Sequence, residues 1–291
     1  MGSLYPQSTM VRLASGDWIT QLCVARVPST APRKFLLIHG NPSHLDDWSH
    51  TAPALKGLGE VVAYDQVGFG RSERLKGREP NLDSCADVAL ALADSLGWKR
   101  FIVLGQSHGG MIAHTLAARS PERIEAIVLL GTGGTPAHGS YRLLAIPGVR
   151  RALAMAGGPL YRSKLLRPIA KAVTASTIQT SYGPDPIPEG LLDVLLAYFA
   201  DRPDVLETMA AVALGDPCGQ VARQSEAVKA PALFIHGEDD RLVPIAFARR
   251  LFEMTAKHTR AEFIAMGGGH MLHYCRAAEV NAAVVQWLAD V

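Results

Sequence analysis

Cysteine is scarce in this chain, and its spacing excludes two architectures at once. Cys23, Cys85, Cys218 and Cys275 are the four among 291 residues, with no short paired interval such as a zinc knuckle or a disulfide framework needs. A reducing cytoplasm fits that usage. Charge is also sparse. Asp, Glu, Lys and Arg make up 19% of the chain and the formal net charge is +2, too mild a balance to attract nucleic acid by itself. No apolar run approaches the length of about eighteen residues that spans a bilayer. The first ten residues lack the basic start and apolar stretch of a secretion signal, and Pro6 stands where a myristoylation signal wants Ser or Thr. No His-Glu-x-x-His or paired-Cys motif points to a metal, and nothing calls for another cofactor. What is left is a globular chain, 48% hydrophobic, with enough apolar surface for a large core. Residues before Met10 are set aside from the fold argument, as an alternative start.

Met10 to Leu13 and Trp18 to Val24 are β-rich and separated by Ser15-Gly16-Asp17, a hairpin pattern. Further on, Phe35 to Ile38, Val61 to Tyr64, Phe101 to Leu104, Ile127 to Leu130, Ala232 to Ile235 and Glu262 to Ala265 are short apolar runs. Helix-length segments separate most of them, which predicts an α/β fold: a doubly wound, mostly parallel sheet with crossover helices. Val280, Ala283, Val284, Trp287 and Leu288 fall on one face of a last helix. Between Thr135 and Arg223 the strand signals stop and Leu, Ala, Met and Tyr recur at helical spacing. The expected division is a core of residues 10–134 and 224–291 with an inserted helical segment, 135–223. Arg142 to Lys171 carry only positive charge, whereas Asp185 to Asp216 are acidic apart from Arg202. Exposed or mutually paired helices are the ordinary explanation. A basic rim that attracts an anionic substrate is the functional one.

The chemistry concentrates at Gly105-Gln106-Ser107-His108-Gly109. An apolar run precedes it, and Met111 to Leu116 carry a helix on to Pro121. A serine at a tight strand-to-helix turn needs small neighbours, because its backbone is strained and the helix must approach the strand closely. Such a hydroxyl is a poor nucleophile at neutral pH unless an imidazole takes its proton and a carboxylate holds that imidazole. Both are available downstream. Asp240 follows the run ending at Ile235, with Glu238 and Asp239 as alternatives, and His270 follows Met266-Gly267-Gly268-Gly269.

These motifs, with His39-Gly40-Asn41-Pro42 after Phe35 to Ile38, resemble the α/β-hydrolase fold superfamily, in its serine-nucleophile branch with a helical cap. The resemblance covers the chain from about Met10 onward and includes the chain order serine, acid, histidine. It implies Ser107 as nucleophile, Asp240 as acid and His270 as base. Backbone N–H groups of Asn41 and His108 would form the oxyanion hole, where one donor is typically worth about 3 kcal/mol of barrier. His39 is expected to hold its loop, and Asp65 to Ser72 to brace the loop around Asn41. The His-Gly-Asn-Pro stretch is also similar to haloalkane dehalogenases and, less closely, epoxide hydrolases. There an aspartate attacks carbon; with Ser107 in its place an acyl carbon is the expected target.

The expected activity is therefore hydrolysis of a carboxylic ester or thioester of a small to medium, largely apolar substrate through an acyl-enzyme. Carbon–carbon bond hydrolysis of a diketone-like metabolite is the alternative within enzymes. A ligand binder without turnover is the alternative outside them, since fold does not fix function. Met155, Tyr161, Tyr182, Tyr198 and Met209 are candidate wall residues of the inserted helices. The expected partner is a small molecule, with neither nucleic acid nor a membrane span. Nothing in the sequence sets the oligomeric state.

Overall fold

The computed structural model describes residues 3–133, 159–202, 204–214 and 217–291. Short apolar runs bury both of their faces when helices cover a parallel sheet on each side, and the inner strands of a seven-stranded sheet do so here, while its first strand is largely exposed. The seven are β1 (Ser8–Ser15), β2 (Trp18–Ile38), β3 (Gly59–Tyr64), β4 (Phe101–Gln106), β5 (Ile124–Leu130), β6 (Ala232–Gly237) and β7 (Ala261–Met266). β1 pairs antiparallel with β2 around Gly16. β2 then borders β3 and β4, and β5, β6 and β7 follow in parallel register. The two runs at Trp18 to Val24 and Phe35 to Ile38 belong to one long span. Val24 and Val27 face Tyr64 and Val61, while Phe35 and Ile38 face Val61 and Tyr64, so the chain folds back around β3 between its two arms.

Alternation along the strands divides the core into two layers. Leu36, Ile38, Val103, Ile127 and Phe234 pack with α2 (Leu82–Ser95) and α3 (His108–Arg119) on one face. Phe35, Leu37, Leu104, Val128 and Ile235 pack with α1 (Thr51–Leu55) and α10 (Ala277–Ala289) on the other. Val280, Val284, Trp287 and Leu288 of α10 are all buried, as their spacing predicts. The N-terminal residues set aside from the fold argument are packed: Leu4 is buried, its N–H donates to Asp46 Oδ1 at 2.6 Å, and the Tyr5 hydroxyl donates to Asp65.

β5 and β6 are neighbours in the sheet but far apart in sequence. The described helices between them are α4 (Arg167–Tyr182), α5 (Leu191–Asp201), α6 (Asp204–Leu214) and α7 (Pro217–Gln224). α7 packs on the main body, with Val221 in the same layer as α3 and Gln224 accepting from Thr115 Oγ1 at 3.0 Å. Among the described residues the acidic half of this insertion pairs with Arg74, Arg202 and Arg276 rather than with its basic half. Arg142, Arg150 and Arg151 lie outside the described residues. α8 (Ile245–Thr255) and α9 (Leu272–Cys275) complete the chain. Among the described residues no helix is long and apolar enough to cross a membrane.

Candidate active site

Ser107 has φ +52° and ψ −117°, and among the described residues it alone has a positive φ without being glycine. Such a conformation costs of order 1–3 kcal/mol and persists only where the surroundings impose it. They impose it here through close backbone approach. A Cβ on Gly105 would lie 2.2 Å from Gly109 O, and one on Gly109 would lie 2.1 Å from Ile38 O. The Ser107 N–H donates to Leu130 O at 2.8 Å, and Thr132 Oγ1 donates to Ser107 O at 3.3 Å. The turn is thus locked to β5 as well as to α3.

His270 is buried, with Nδ1 2.7 Å from Asp240 Oδ2. Asp240 Oδ1 accepts the N–H groups of Leu242 and Val243 at 2.9 and 2.8 Å. Burial would raise this carboxyl, but His270 and His236 outweigh it and hold Asp240 well below the usual carboxylate range. His236 was not singled out from sequence. Its Nε2 stands 3.2 Å from Asp240 Oδ2 and 2.7 Å from Val243 O, so it supports the Asp240 carboxylate from behind. Asp239 turns elsewhere: it is exposed and its carboxylate faces the Gly268 N–H at 3.4 Å. Glu238 is likewise exposed. With Nδ1 engaged, Nε2 is the nitrogen left for a hydroxyl. Gly131 lies between His270 and the turn at Ser107, since a Cβ there would be 3.2 Å from His270 Nδ1 and Gly131 directly follows Leu130, which holds the Ser107 N–H. Among the described residues Ser107 Oγ makes no hydrogen bond, and such bonds often tighten only with substrate present.

The loop carrying Asn41 is packed behind Ser107: a Cβ on Gly40 would lie 3.3 Å from Ser107 Cβ. His39 holds this loop. Its Nδ1 donates to Gly40 O at 2.7 Å, and Nε2 accepts the Gln66 N–H at 2.9 Å. Burial pushes the His39 imidazole down to about 3, so it is neutral, with the tautomer this pattern requires. The Gln66 amide also donates to His39 O. Asp65 accepts from Leu45 N and Arg71 N, each at 2.7 Å, so the turn after β3 braces the loop as expected. Neither the Asn41 nor the His108 N–H donates to another described residue. Both are available as backbone donors. Gln106, which the sequence analysis did not assign, has its Nε2 3.3 Å from His270 O and its carbonyl against Gly40, bridging both loops.

Of the other histidines, His108 is buried with both ring nitrogens unpartnered, and burial lowers it to about 4. His114 contacts Thr255, while His273 lies against Trp48 with ring centroids 5.3 Å apart. Tyr161, Tyr198 and Met209 gather around Phe69, Phe199 and Val205. Tyr198 accepts the Gly70 N–H at 2.9 Å, and Tyr161 shares a hydrogen bond with Thr174. Their contacts anchor the inserted helices on the turn after β3. Tyr182 is buried beside the loop that leads to His270, its carbonyl against Gly269. Met155 lies outside the described residues.

A model of the α/β hydrolase fold matches residues 34–276. The chain belongs to the α/β hydrolase fold family. It is 28% identical over 262 residues to a 2-hydroxy-6-oxononadienedioate/2-hydroxy-6-oxononatrienedioate hydrolase of Paraburkholderia phymatum, covering 88% of this chain and 86% of that protein. A haloalkane dehalogenase of Mycobacterium bovis is 36% identical over 102 residues, 35% of this chain and 36% of that protein. Among solved structures, a thermophilic esterase from Thermogutta terrifontis superposes with a TM-score of 0.76 at 19% identity, covering 98% of each chain.

Proposed function

We propose that Ser107, His270 and Asp240 are the catalytic triad of a hydrolase that cleaves a carboxylic ester or thioester of a small to medium, largely apolar substrate. The observation that carries this reading is the 2.7 Å contact between Asp240 Oδ2 and His270 Nδ1. It keeps the proton on Nδ1, so that Nε2 offers its lone pair to the Ser107 hydroxyl. Ser107 Oγ attacks the acyl carbon as Nε2 takes its proton, and the carbonyl oxygen gains negative charge. The Asn41 and His108 N–H groups stabilise that charge without having to reorganise. Imidazolium then protonates the departing alcohol or thiol as its bond to the acyl carbon breaks. Water, deprotonated by the same nitrogen, releases the acid from Ser107. The inserted helices serve as a cap over Ser107, and the reaction takes place in the cytoplasm.

Carbon–carbon bond hydrolysis is the second reading, favoured by the activity for which the Paraburkholderia relative is named. The same groups perform it when the leaving group is a stabilised carbanion that is protonated at carbon. Dehalogenation is disfavoured, because serine attack on a haloalkane would leave a stable ether. Hydrolysis of a panel of esters, thioesters and vinylogous diketones by wild type and Ser107→Ala tests the proposal. Turnover of esters with an acyl-enzyme burst, lost in Ser107→Ala, is expected. Turnover of diketones alone would move the assignment to the second reading, and turnover by Ser107→Ala would remove the triad.

A further inference from the structure

The glycines before His270 suggest slack in the sequence, but Gly268 and Gly269 are crowded, by Arg276 and by the segment that leaves the inserted helix α4. α4 ends directly against the base loop. A Cβ on Gly269 would lie 2.3 Å from Tyr182 O, and one on Gly268, where φ is +124°, would lie 2.8 Å from Asp185 Oδ2. Two successive N–H groups of the loop are taken by this neighbour: Gly269 N donates to Asp185 Oδ2 at 2.8 Å, and His270 N donates to Ser181 O at 2.8 Å. Asp185 is itself buried. Its other oxygen accepts from Arg276 Nε at 3.0 Å, so a guanidinium from beyond α9 balances the carboxylate. The base loop is held between Asp185 and Arg276, outside the contact His270 makes with Asp240.

A carboxylate taken from water at this depth is costly unless it is paired and hydrogen-bonded, and both of its oxygens are satisfied here. It touches neither the imidazole ring nor Ser107. Its effect falls on the position of the His270 backbone. We propose that Asp185 is a positioning residue for the general base, clamping the Gly269–His270 peptide so that Nε2 meets the Ser107 hydroxyl. This rests on the reading of His270 as the base. A displacement of about 1 Å at a reacting group can cost about 10²-fold in rate, which sets the scale of what the clamp controls.

The test compares Asp185→Ala, Asp185→Asn, Arg276→Met and His270→Ala, using kcat and KM on an activated ester and the proton NMR signal of the His270 Nδ1–H. Asp185→Ala is expected to lower kcat by about 10- to 100-fold with KM within about threefold, and to shift or broaden that signal. Asp185→Asn, which can still accept the Gly269 N–H, is expected to recover most of the lost kcat and the signal. Equal losses in Asp185→Ala and Asp185→Asn, tracking a fall in Tm with the signal unchanged, would overturn the proposal in favour of a purely structural pair. Wild-type kcat in a folded Asp185→Ala would also overturn it. Should Asp185→Ala not fold, Arg276→Met decides: a lower kcat at constant KM supports the clamp, and unchanged kcat overturns it. His270→Ala separates the two levels of inference. If it retains activity, the base assignment itself fails; if it is inactive while Asp185→Ala matches wild type, only the clamp fails.

Discussion

The nucleophile and the base of the candidate site are held in opposite ways. The turn at Ser107 is fixed by close backbone approach among its own strand, α3 and the neighbouring strands: Gly105 meets Gly109, Gly109 meets the end of β2, and β5 holds the Ser107 N–H. The loop at His270 is fixed by remote groups, namely Asp240 after β6, Ser181 and Asp185 at the end of α4, and Arg276 beyond it. Strain is confined to the first region, where the surroundings leave no alternative backbone path. In the second, ordering depends on hydrogen bonds to segments that must already be docked. A local turn can therefore survive damage elsewhere, while the base loop registers damage in the acid loop and in the inserted helices.

The largest effect expected from this contrast comes at the acid. Asp240→Asn should lower kcat/KM by about 10³- to 10⁴-fold, because the amide no longer imposes the Nδ1–H tautomer. Asp239→Asn should stay within about threefold, since its carboxylate reaches only the Gly268 N–H. Steady-state kinetics of the two purified variants checks this. Equal losses would place the acid elsewhere in the loop.

Two glycines two positions apart sharpen the second half of the comparison. Gly269→Ala puts a methyl 2.3 Å from Tyr182 O, whereas the nearest atom to a Cβ on Gly267 is Arg276 Nη1 at 4.0 Å. Gly269→Ala should destabilise the protein by about 1–3 kcal/mol through overpacking and lower kcat at least tenfold. Gly267→Ala should be close to neutral in both. Urea unfolding with kinetics on the same samples separates them, and similar behaviour would mean that the loop moves freely.

The difference in construction also explains what was legible in the sequence. Ser107 and its glycines form a local pattern, and the apolar runs of β3 to β7 needed only length and flanking breakers to be found. Asp240 and His270 could be named from their strands and the family resemblance. His236, Gln106 and Asp185 carry no local signature, because Gln106 and Asp185 act through partners 164 and 84 residues away and His236 through the curl of a loop that no pattern encodes. The glycine run was legible as glycine, but the crowding at Gly268 and Gly269 was not, since it comes from Arg276, Asp185 and the end of α4. Leu4 and Tyr5 escaped for the same reason: their partners, Asp46 and Asp65, are remote and unexceptional in sequence.

Buried imidazoles on both sides of the site give a pH dependence whose sign follows from burial. His39 and His273 are lowered to about 3, and His108 and His114 to about 4, from 6.5. The unfolded chain therefore binds more protons below pH 6.5, so stability falls as pH drops from 6.5 toward 4. Each group contributes up to about 1.4 kcal/mol per pH unit. Asp47 and Asp65, raised by burial, act with the opposite sign and offset part of the slope. His114, on α3 away from the base loop, is the cleanest probe. The stability difference between wild type and His114→Gln should shrink by about 1 kcal/mol for each pH unit below 6.5, as read from urea unfolding at pH 7, 6 and 5. A constant difference would mean that His114 takes up a proton in the folded state.

The smallest expected effect tests the strain at the elbow directly. Ser107→Gly removes the Cβ that makes φ +52° unfavourable, a relief of order 1–3 kcal/mol. The glycine in turn loses more backbone freedom on folding, at a cost of about 0.5–1 kcal/mol. The hydroxyl forms no hydrogen bond with a described residue, so little else is lost. The net expectation is a gain of about 1 kcal/mol, or about 2 °C in Tm for a chain of this size, together with complete loss of turnover. Ser107→Ala, which keeps the Cβ, should lose turnover without that gain. Calorimetry of the two variants beside wild type separates backbone strain from the loss of the hydroxyl, and equal Tm values for glycine and alanine would show that the elbow stores no strain at this residue.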